Sequence, residues 1–340
     1  MTHAILVHRP GGAAMICRIG RALMDVILHV GAHRTATTTF QHYIRAQETA
    51  LAQQQVHFWG PQQVRKSVFP GLFRKAALQN RRHVGRRATG RVSLLTAKLA
   101  DKGIKQLIVS DENMIGTCVQ NFRSGCLYPG AGERMARVTA AFDGRITRVV
   151  LSLRAQDLWW ASAAAFIVAR GHAVPDAGRC RAITQHPRSW RDVITDLACA
   201  VPDVDIQVVP FENAAGQPQE LLETVLGQSI SPISFDRWLN RSDDLAALRR
   251  IIERNGGDPA VLPDGAGRWQ PFTADQCAAM RETYADDLHW LTAGADGLAR
   301  LTSGHPRTRA DTSLPPGQYT KGQSYDKGHA NAPTEVAQHR

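Results

Sequence analysis

The fold of this 340-residue chain is decided by one stretch, Asp25-Val26-Ile27-Leu28-His29-Val30-Gly31-Ala32-His33-Arg34-Thr35-Ala36-Thr37-Thr38-Thr39-Phe40-Gln41. Its apolar run, residues 26–30, is typical of a buried strand in a parallel sheet. The run stops at Gly31, where a small, hydroxyl-rich turn begins. Phe40, Tyr43 and Ile44 then share one face of a predicted helix. Such a strand, turn and helix start predict an anion site, because unpaired N–H groups and the positive end of the helix dipole converge there.

The remainder of the chain alternates between strand and helix patterns. Further strands are predicted at 106–110, 146–153 and 204–209. Helices are predicted at 38–53, 92–100, 133–142, 189–200, 219–226, 243–253 and 273–291, with a Trp- and Ala-rich helix after residue 154. Segments 57–61 and 171–187 are predicted as loops. The alternation predicts an α/β fold, a three-layer open parallel sheet flanked by helices, with a helical C-terminal part.

The predicted α/β domain covers residues 24–302. Residues 1–23 have an apolar start, but charged residues and a proline interrupt it, so the segment is a poor signal peptide. It is predicted to be an unstructured extension. Residues 303–340 are rich in Gly, Pro, Ser and Thr and are predicted to be a disordered tail. No run reaches the roughly 18 apolar residues of a membrane span. Six scattered cysteines without a Cys-x-x-Cys pair predict reduced thiols, a cytoplasmic location and no metal site.

The net charge of +11 is concentrated in one segment. Residues 65–105 contain twelve Lys or Arg residues and a single acid, Asp101. A block of this kind is usually a solvated basic face, and it is also a surface that attracts an acidic polysaccharide, a lipid head group or a nucleotide. Nucleic acid is the least favoured partner, because the block has few aromatic side chains on which bases could stack.

The turn after the first strand departs from the nucleotide-triphosphate loop. That loop requires Gly-x4-Gly-Lys-Ser/Thr. Counting from Gly31, Ala36 stands where the second glycine should be and Thr37 where the lysine should be. The cation comes earlier, at Arg34, and no second strand offers an evident carboxylate for magnesium.

An early cation followed by hydroxyl residues resembles the 5′-phosphosulfate loop of sulfotransferases that use 3′-phosphoadenosine 5′-phosphosulfate (PAPS). The family pattern, Lys/Arg-Thr/Ser-Gly-Thr-Thr/Ser, is matched by Arg34, Thr35, Ala36, Thr37 and Thr38. Ala36 departs from it. If this position requires positive φ, alanine costs about 1 kcal/mol or more there.

A second pair of residues extends the resemblance. Arg154 ends the predicted strand 146–153, and Ser162 follows eight positions later on the next helix. Sulfotransferases hold the 3′-phosphate of PAPS with an arginine and a serine in this setting, and a guanidinium fork matches phosphate well. Taken alone, the pair is more typical of an arginine that caps a helix and a serine buried within it. Motifs for the adenine ring and the Arg-Lys-Gly element of cytosolic members are not evident.

The resemblance implies a P-loop NTPase-like sulfotransferase fold, PAPS as co-substrate, and transfer of a sulfuryl group to a hydroxyl or amine without a metal. The acceptor is expected to be hydroxylated, acidic or a carbohydrate. The residues carried over for PAPS binding are Arg34, Thr35, Ala36, Thr37, Thr38, Thr39, Arg154 and Ser162.

Related enzymes use a glutamate or a histidine as general base. The predicted base is Glu112, just beyond the strand at 106–110, with His33 in reserve, and Arg34 is expected to stabilise the leaving phosphate. The position of Glu112 is equally consistent with a structural role in a helix-capping turn.

Two other functions remain open. One is a small-molecule kinase or P-loop nucleotide-binding protein, which the missing lysine and magnesium carboxylate disfavour. The other is a polyanion-binding protein without activity, whose binding would depend steeply on salt and not on Arg154.

Overall fold

A computed structural model of the chain describes residues 24–74 and 78–302, so the predicted N-terminal extension and the predicted tail lie outside the described residues. It contains a sheet of six strands: β1 (Asp25–His29), β2 (Val56–Trp59), β3 (Gln106–Ser110), β4 (Ile146–Leu153), β5 (Asp205–Pro210) and β6 (Arg300–Leu301). The strand order is β2-β3-β1-β4-β5-β6, and every pairing is parallel. The predicted α/β class with a parallel sheet is confirmed.

The helices are α1 (Thr37–Ala46), α2 (Glu48–Gln53), α3 (Pro61–Gln63), α4 (Leu78–Asp101), α5 (Cys118–Ser124), α6 (Ala131–Phe142), α7 (Gln156–Val168), α8 (Ala177–Thr184), α9 (Trp190–Ala200), α10 (Phe211–Ala214), α11 (Pro218–Leu226), α12 (Leu245–Arg254) and α13 (Ala274–Thr292). Single turns lie at Glu112–Met114, Pro259–Val261 and Ala295–Gly297, and a π turn at Val64–Val68. Over the described part of the chain, none of these helices combines the length and apolar character that crossing a bilayer demands.

Helices cover both faces of the sheet. Ile27 of β1 packs on one face with apolar residues of α1, α2 and α11. Val26 and Leu28 point to the other face, where α4, α6, α7, α9 and α13 supply the apolar partners. Because successive side chains of a strand alternate between faces, a strand covered on both sides must be apolar throughout. This is why residues 26–28, in the middle of β1, are all apolar.

Several predicted elements are corrected by the structure. The predicted loop at 57–61 begins as β2, which pairs with β3 at the sheet edge and is too short for a periodic pattern. The predicted loop at 171–187 contains α8, whose N-cap Asp176 accepts from the Arg179 N–H. The predicted helix 38–53 is interrupted at Gln47. Strand β6 was not predicted, because two residues are too few to show the alternation of a strand.

Candidate anion-binding and catalytic site

The turn that follows β1 is held against β4 by main-chain contacts. The Ala32 N–H donates to the carbonyl of Ser152 at 2.6 Å. Gly31, Arg34 and Ala36 have φ of 95°, 63° and 58°. The positive φ that would favour glycine at position 36 is therefore present. Ala36 is the N-cap of α1 and supplies no side-chain cap. The first N–H groups of α1 thus have neither an intrahelical acceptor nor a side-chain cap.

The threonines at positions 35 and 37–39 differ in whether they line a cleft. The hydroxyls of Thr35 and Thr37 both donate to the carbonyl of Ala32, at 2.8 and 3.0 Å. Thr37 and Thr38 line a cleft of about 700 Å³ at the carboxyl ends of the strands. Thr35 and Thr39 are buried and do not line it. Thr37 and Thr38 are therefore the members of the run that could meet a ligand in this cleft.

An irregular segment between α11 and α12 closes over the start of α1. The Leu239 N–H donates to the hydroxyl of Thr39 at 3.0 Å, and the Asn240 side chain donates to the hydroxyl of Thr38 at 2.9 Å. Residues 238–242 of this segment line the same cleft. The first turn of α1 is thereby tied to a part of the chain about 200 residues away.

Arg154 lies at the carboxyl end of β4 and points into the cleft. Its side chain is buried, with the residue 8% exposed. One terminal nitrogen donates to the carbonyl of Arg34 at 3.1 Å, and the guanidinium lies 4.9 Å from the ring centroid of Phe211. Its Nε has no hydrogen-bond acceptor among the described residues. A buried donor without a partner is costly, so this guanidinium favours an anionic ligand.

Arg34 and Ser162 meet directly. The Nε of Arg34 donates to the Ser162 hydroxyl at 2.9 Å, and a terminal nitrogen donates to Ser242 at the same distance. The hydroxyls of Ser162 and Ser242 are 2.7 Å apart. The structure therefore brings together the Arg34 turn, Arg154 and Ser162 in one cleft.

The two guanidinium groups raise the positive potential of this cleft. Burial lowers the pKa of Arg34 to about 10, with Arg170 adding to the shift. Burial likewise lowers the pKa of Arg154 to about 10, where Glu212 opposes the shift and Arg34 adds to it. A lowered arginine pKa means that the surroundings penalise the positive charge. A bound anion would remove that penalty.

Glu112 follows β3 in a short turn capped by Asp111, which accepts the Asn113 N–H at 3.0 Å. Arg65 clamps both carboxylates, with distances of 2.7 Å to Asp111 and 3.1 Å to Glu112. The Gln41 side chain also donates to Glu112, at 3.3 Å. The Asp111 side chain is 1% exposed, whereas that of Glu112 is 19% exposed and lines the cleft.

The two carboxylates differ in their electrostatic environment. Burial raises the pKa of Asp111 to about 6, with Arg65 opposing the shift. Burial also acts to raise the pKa of Glu112, but the charges of His33 and Arg65 outweigh it and lower that pKa. Glu112 is thus the carboxylate that stays ionised and reaches the cleft.

His33 also lines the cleft, but both of its ring nitrogens have partners. Its main-chain N–H donates to the Tyr128 hydroxyl, and its Nδ1 lies 2.9 Å from the same oxygen. Its Nε2 lies 3.0 Å from the side-chain amide of Asn113. Burial lowers the pKa of His33. The hydrogen bonds of its two ring nitrogens hold the ring in place.

Several residues of the site were missed by the sequence analysis. Ser242, Asn240, Tyr128 and Arg65 reach it from other parts of the chain, with contacts that span 46 to 208 positions. No local pattern marks them, because each reaches the site through contacts with residues that are distant in the sequence.

The fold and the site together define an α/β protein with a basic cleft at the carboxyl edge of a parallel sheet. Within residues 24–74 and 78–302, no three His, Cys, Asp or Glu side chains are grouped so that they could hold a metal ion. In comparisons with known proteins, the chain matches no family model and no curated protein.

Proposed function

We propose that the protein is a PAPS-dependent sulfotransferase of the P-loop-like sulfotransferase fold. The observation that carries the proposal is that the half-buried guanidinium of Arg34 and the buried guanidinium of Arg154 line one cleft beside the uncapped N-terminus of α1. A helix N-terminus and two arginines suit a ligand with two separate anionic groups. PAPS is such a ligand, with a 3′-phosphate and a 5′-phosphosulfate.

In this proposal the α1 N-terminus holds the 5′-phosphosulfate. The main-chain N–H groups of residues 36–38 and the hydroxyl of Thr38 are its donors, and the hydroxyl of Thr37 joins them by exchanging the carbonyl of Ala32 for the ligand. Arg154 and Ser162 hold the 3′-phosphate. Ser162 is fixed on α7 while Arg34 has a long side chain, so Arg34 exchanges its contact with Ser162 for the phosphosulfate when the nucleotide binds.

The reaction is an in-line displacement at sulfur. The acceptor oxygen forms a bond to sulfur while the bond from sulfur to the 5′-phosphate oxygen breaks, and adenosine 3′,5′-bisphosphate leaves. Glu112 takes the proton of the acceptor hydroxyl, which its ionised state allows. Arg34 stabilises the charge that grows on the leaving oxygen. The protein contributes mainly positioning and charge stabilisation, as in phosphoryl transfer.

Calorimetric titration tests this function without knowledge of the acceptor. We expect the protein to bind adenosine 3′,5′-bisphosphate at least tenfold more tightly than adenosine 5′-monophosphate, because only the former offers a group to Arg154 and Ser162. Magnesium-ATP is the third ligand. Binding of ATP that depends on magnesium, together with no response to the bisphosphate, would instead identify a kinase or nucleotide hydrolase.

A further inference from the structure

The cleft continues beyond the proposed nucleotide site, along one face of α1. Thr38, Gln41, His42 and Arg45 all line it. Residues at this spacing share a face of a helix. With a rise of 1.5 Å per residue, Arg45 lies roughly 10 Å along the helix from Thr38. We call this extension, bounded by residues 41–45 of α1 and residues 61–66, the α1 arm.

Two cations of the α1 arm have no hydrogen-bond or ion-pair partner in the described part of the chain. Arg45 and Lys66 line the cleft, and neither makes a hydrogen bond or ion pair with any described residue. Arg65, the residue before Lys66, is by contrast engaged by Asp111 and Glu112. Gly60 makes room for Arg45, since a Cβ at that position would lie 2.9 Å from a terminal nitrogen of the arginine.

The charge of the cleft exceeds what the nucleotide requires. Eight Lys or Arg side chains line it, against two carboxylates, Glu112 and Glu212. Both oxygens of Glu212 have donors, the Ala155 N–H and the Tyr284 hydroxyl. PAPS carries roughly four negative charges, which Arg34, Arg154 and their neighbours can balance. The cations of the α1 arm lie apart from that site.

The surroundings of His42 agree with an excess of positive charge in the α1 arm. Burial lowers its pKa, and the charges of Arg45 and Arg237 lower it further. The lining of the cleft there also offers side-chain amides suited to hydroxyls, from Gln41, Gln62 and Asn113. The arm is therefore both cationic and rich in hydrogen-bonding groups.

On the basis of the proposed function, we propose that the α1 arm binds an acceptor that carries its own anionic group. The acceptor is a hydroxylated acid of the kind exemplified by a uronic acid. Its carboxylate or sulfate lies between Arg45 and Lys66, and the hydroxyl that receives the sulfuryl group faces Glu112. The arm discriminates against neutral acceptors, because binding them leaves its two cations desolvated and unpaired.

Matched pairs of sugars test this proposal. The probes are the 4-nitrophenyl β-D-glucuronide and glucoside, and the galacturonide and galactoside, which differ only in carrying a carboxylate or a hydroxymethyl group. Binding is measured by saturation-transfer NMR on the nucleotide-free protein, and sulfate transfer with radiolabelled PAPS. We expect the acidic member of at least one pair to be favoured tenfold or more in binding and in kcat/KM.

The double variant Arg45→Gln, Lys66→Gln should reduce that preference to less than threefold. The control, Arg123→Gln, Lys98→Gln, removes the same charges from two exposed positions outside the cleft and should keep the full preference. Equal or better binding of the neutral sugars in both pairs, binding of none of the four, or an unchanged preference in the cleft variant would overturn the proposal.

The binding measurement separates the two proposals, since it needs no nucleotide. A protein that prefers the acidic sugars but does not bind adenosine 3′,5′-bisphosphate would retain the α1 arm as an acid site and lose the sulfotransferase function. A protein that binds the bisphosphate but shows no preference for the acidic sugars would retain the proposed sulfotransferase function and lose the α1 arm as an acid site.

Discussion

The Nε of Arg34 donates to the hydroxyl of Ser162 at 2.9 Å, although 128 positions separate the two residues in the chain. Arg34 belongs to the turn after β1, and Ser162 to the helix after β4. These strands are neighbours in the sheet, so the segments that follow them emerge side by side at its carboxyl edge. The contact joins the two halves of the proposed nucleotide site.

Arg154→Ala should weaken the binding of adenosine 3′,5′-bisphosphate by about 1.5–3 kcal/mol, because it removes a charge-assisted contact from a buried site. Calorimetric titration measures the loss. Arg123→Ala, which removes an exposed arginine outside the cleft, is the matched control and should bind as the wild type does. Wild-type affinity in Arg154→Ala would exclude this residue as a phosphate ligand.

Glu112→Gln should depress turnover on the order of 100-fold while leaving nucleotide binding within a factor of two, because the amide keeps the shape but cannot accept the proton. Single-turnover sulfate transfer with radiolabelled PAPS is the measurement. His33→Gln is the comparison, and a larger loss there than in Glu112→Gln would transfer the role of base to the histidine.

Ala36→Gly should stabilise the protein by about 0.5–1 kcal/mol. Alanine at φ 58° is in a left-handed conformation that costs about 1–2 kcal/mol. Glycine removes this cost, but its greater freedom in the unfolded chain offsets part of the gain. Urea unfolding at pH 7 gives the change. A destabilised variant would argue against the left-handed conformation at this position.

Gly31→Ala should destabilise the protein more than Gly144→Ala does. Both glycines have positive φ, but a Cβ at Gly31 would lie 2.8 Å from the Cβ of Glu112, whereas nothing lies within 4 Å of one at Gly144. The Gly144 variant therefore measures the backbone cost of about 1 kcal/mol by itself. Equal losses in urea unfolding would show that the turn after β1 can relax away from Glu112.

His29→Asn should flatten the pH dependence of stability between pH 6.5 and pH 4. Burial lowers the pKa of His29 to about 4, so the unfolded chain takes up a proton below pH 6.5 before the folded protein does. The neutral ring therefore contributes its full stability above pH 6.5, and about 3 kcal/mol of it is lost as the pH falls towards 4. Asparagine can replace the 2.8 Å contact of Nδ1 with Ser110 without titrating. Parallel losses in wild type and variant, from urea unfolding at each pH, would contradict the assignment.

The elements that sequence reasoning located well are those with strong local patterns. β3 and β4 were predicted with the bounds that the structure gives, and Thr273 and Ser189 are N-caps of the helices predicted to begin there. The elements that it missed include β2, α5, α8 and β6. Each of them is short, and tertiary pairing or packing supplies the stabilisation that a local pattern would have revealed.

The sequence by itself determined that β1 is followed by a polar turn and a helix, and that Arg154 lies at a strand end, because hydrophobic periodicity and turn residues act over a few positions. Only the tertiary structure decided that Arg34, Ser162 and Ser242 meet, that Arg65 holds Glu112 beside the cleft, and that Arg45 and Lys66 have no partner within residues 24–74 and 78–302. The reason is physical. Those contacts depend on the order of strands in the sheet and on the path of an irregular segment, which are set by long-range packing and leave no trace in local spacing.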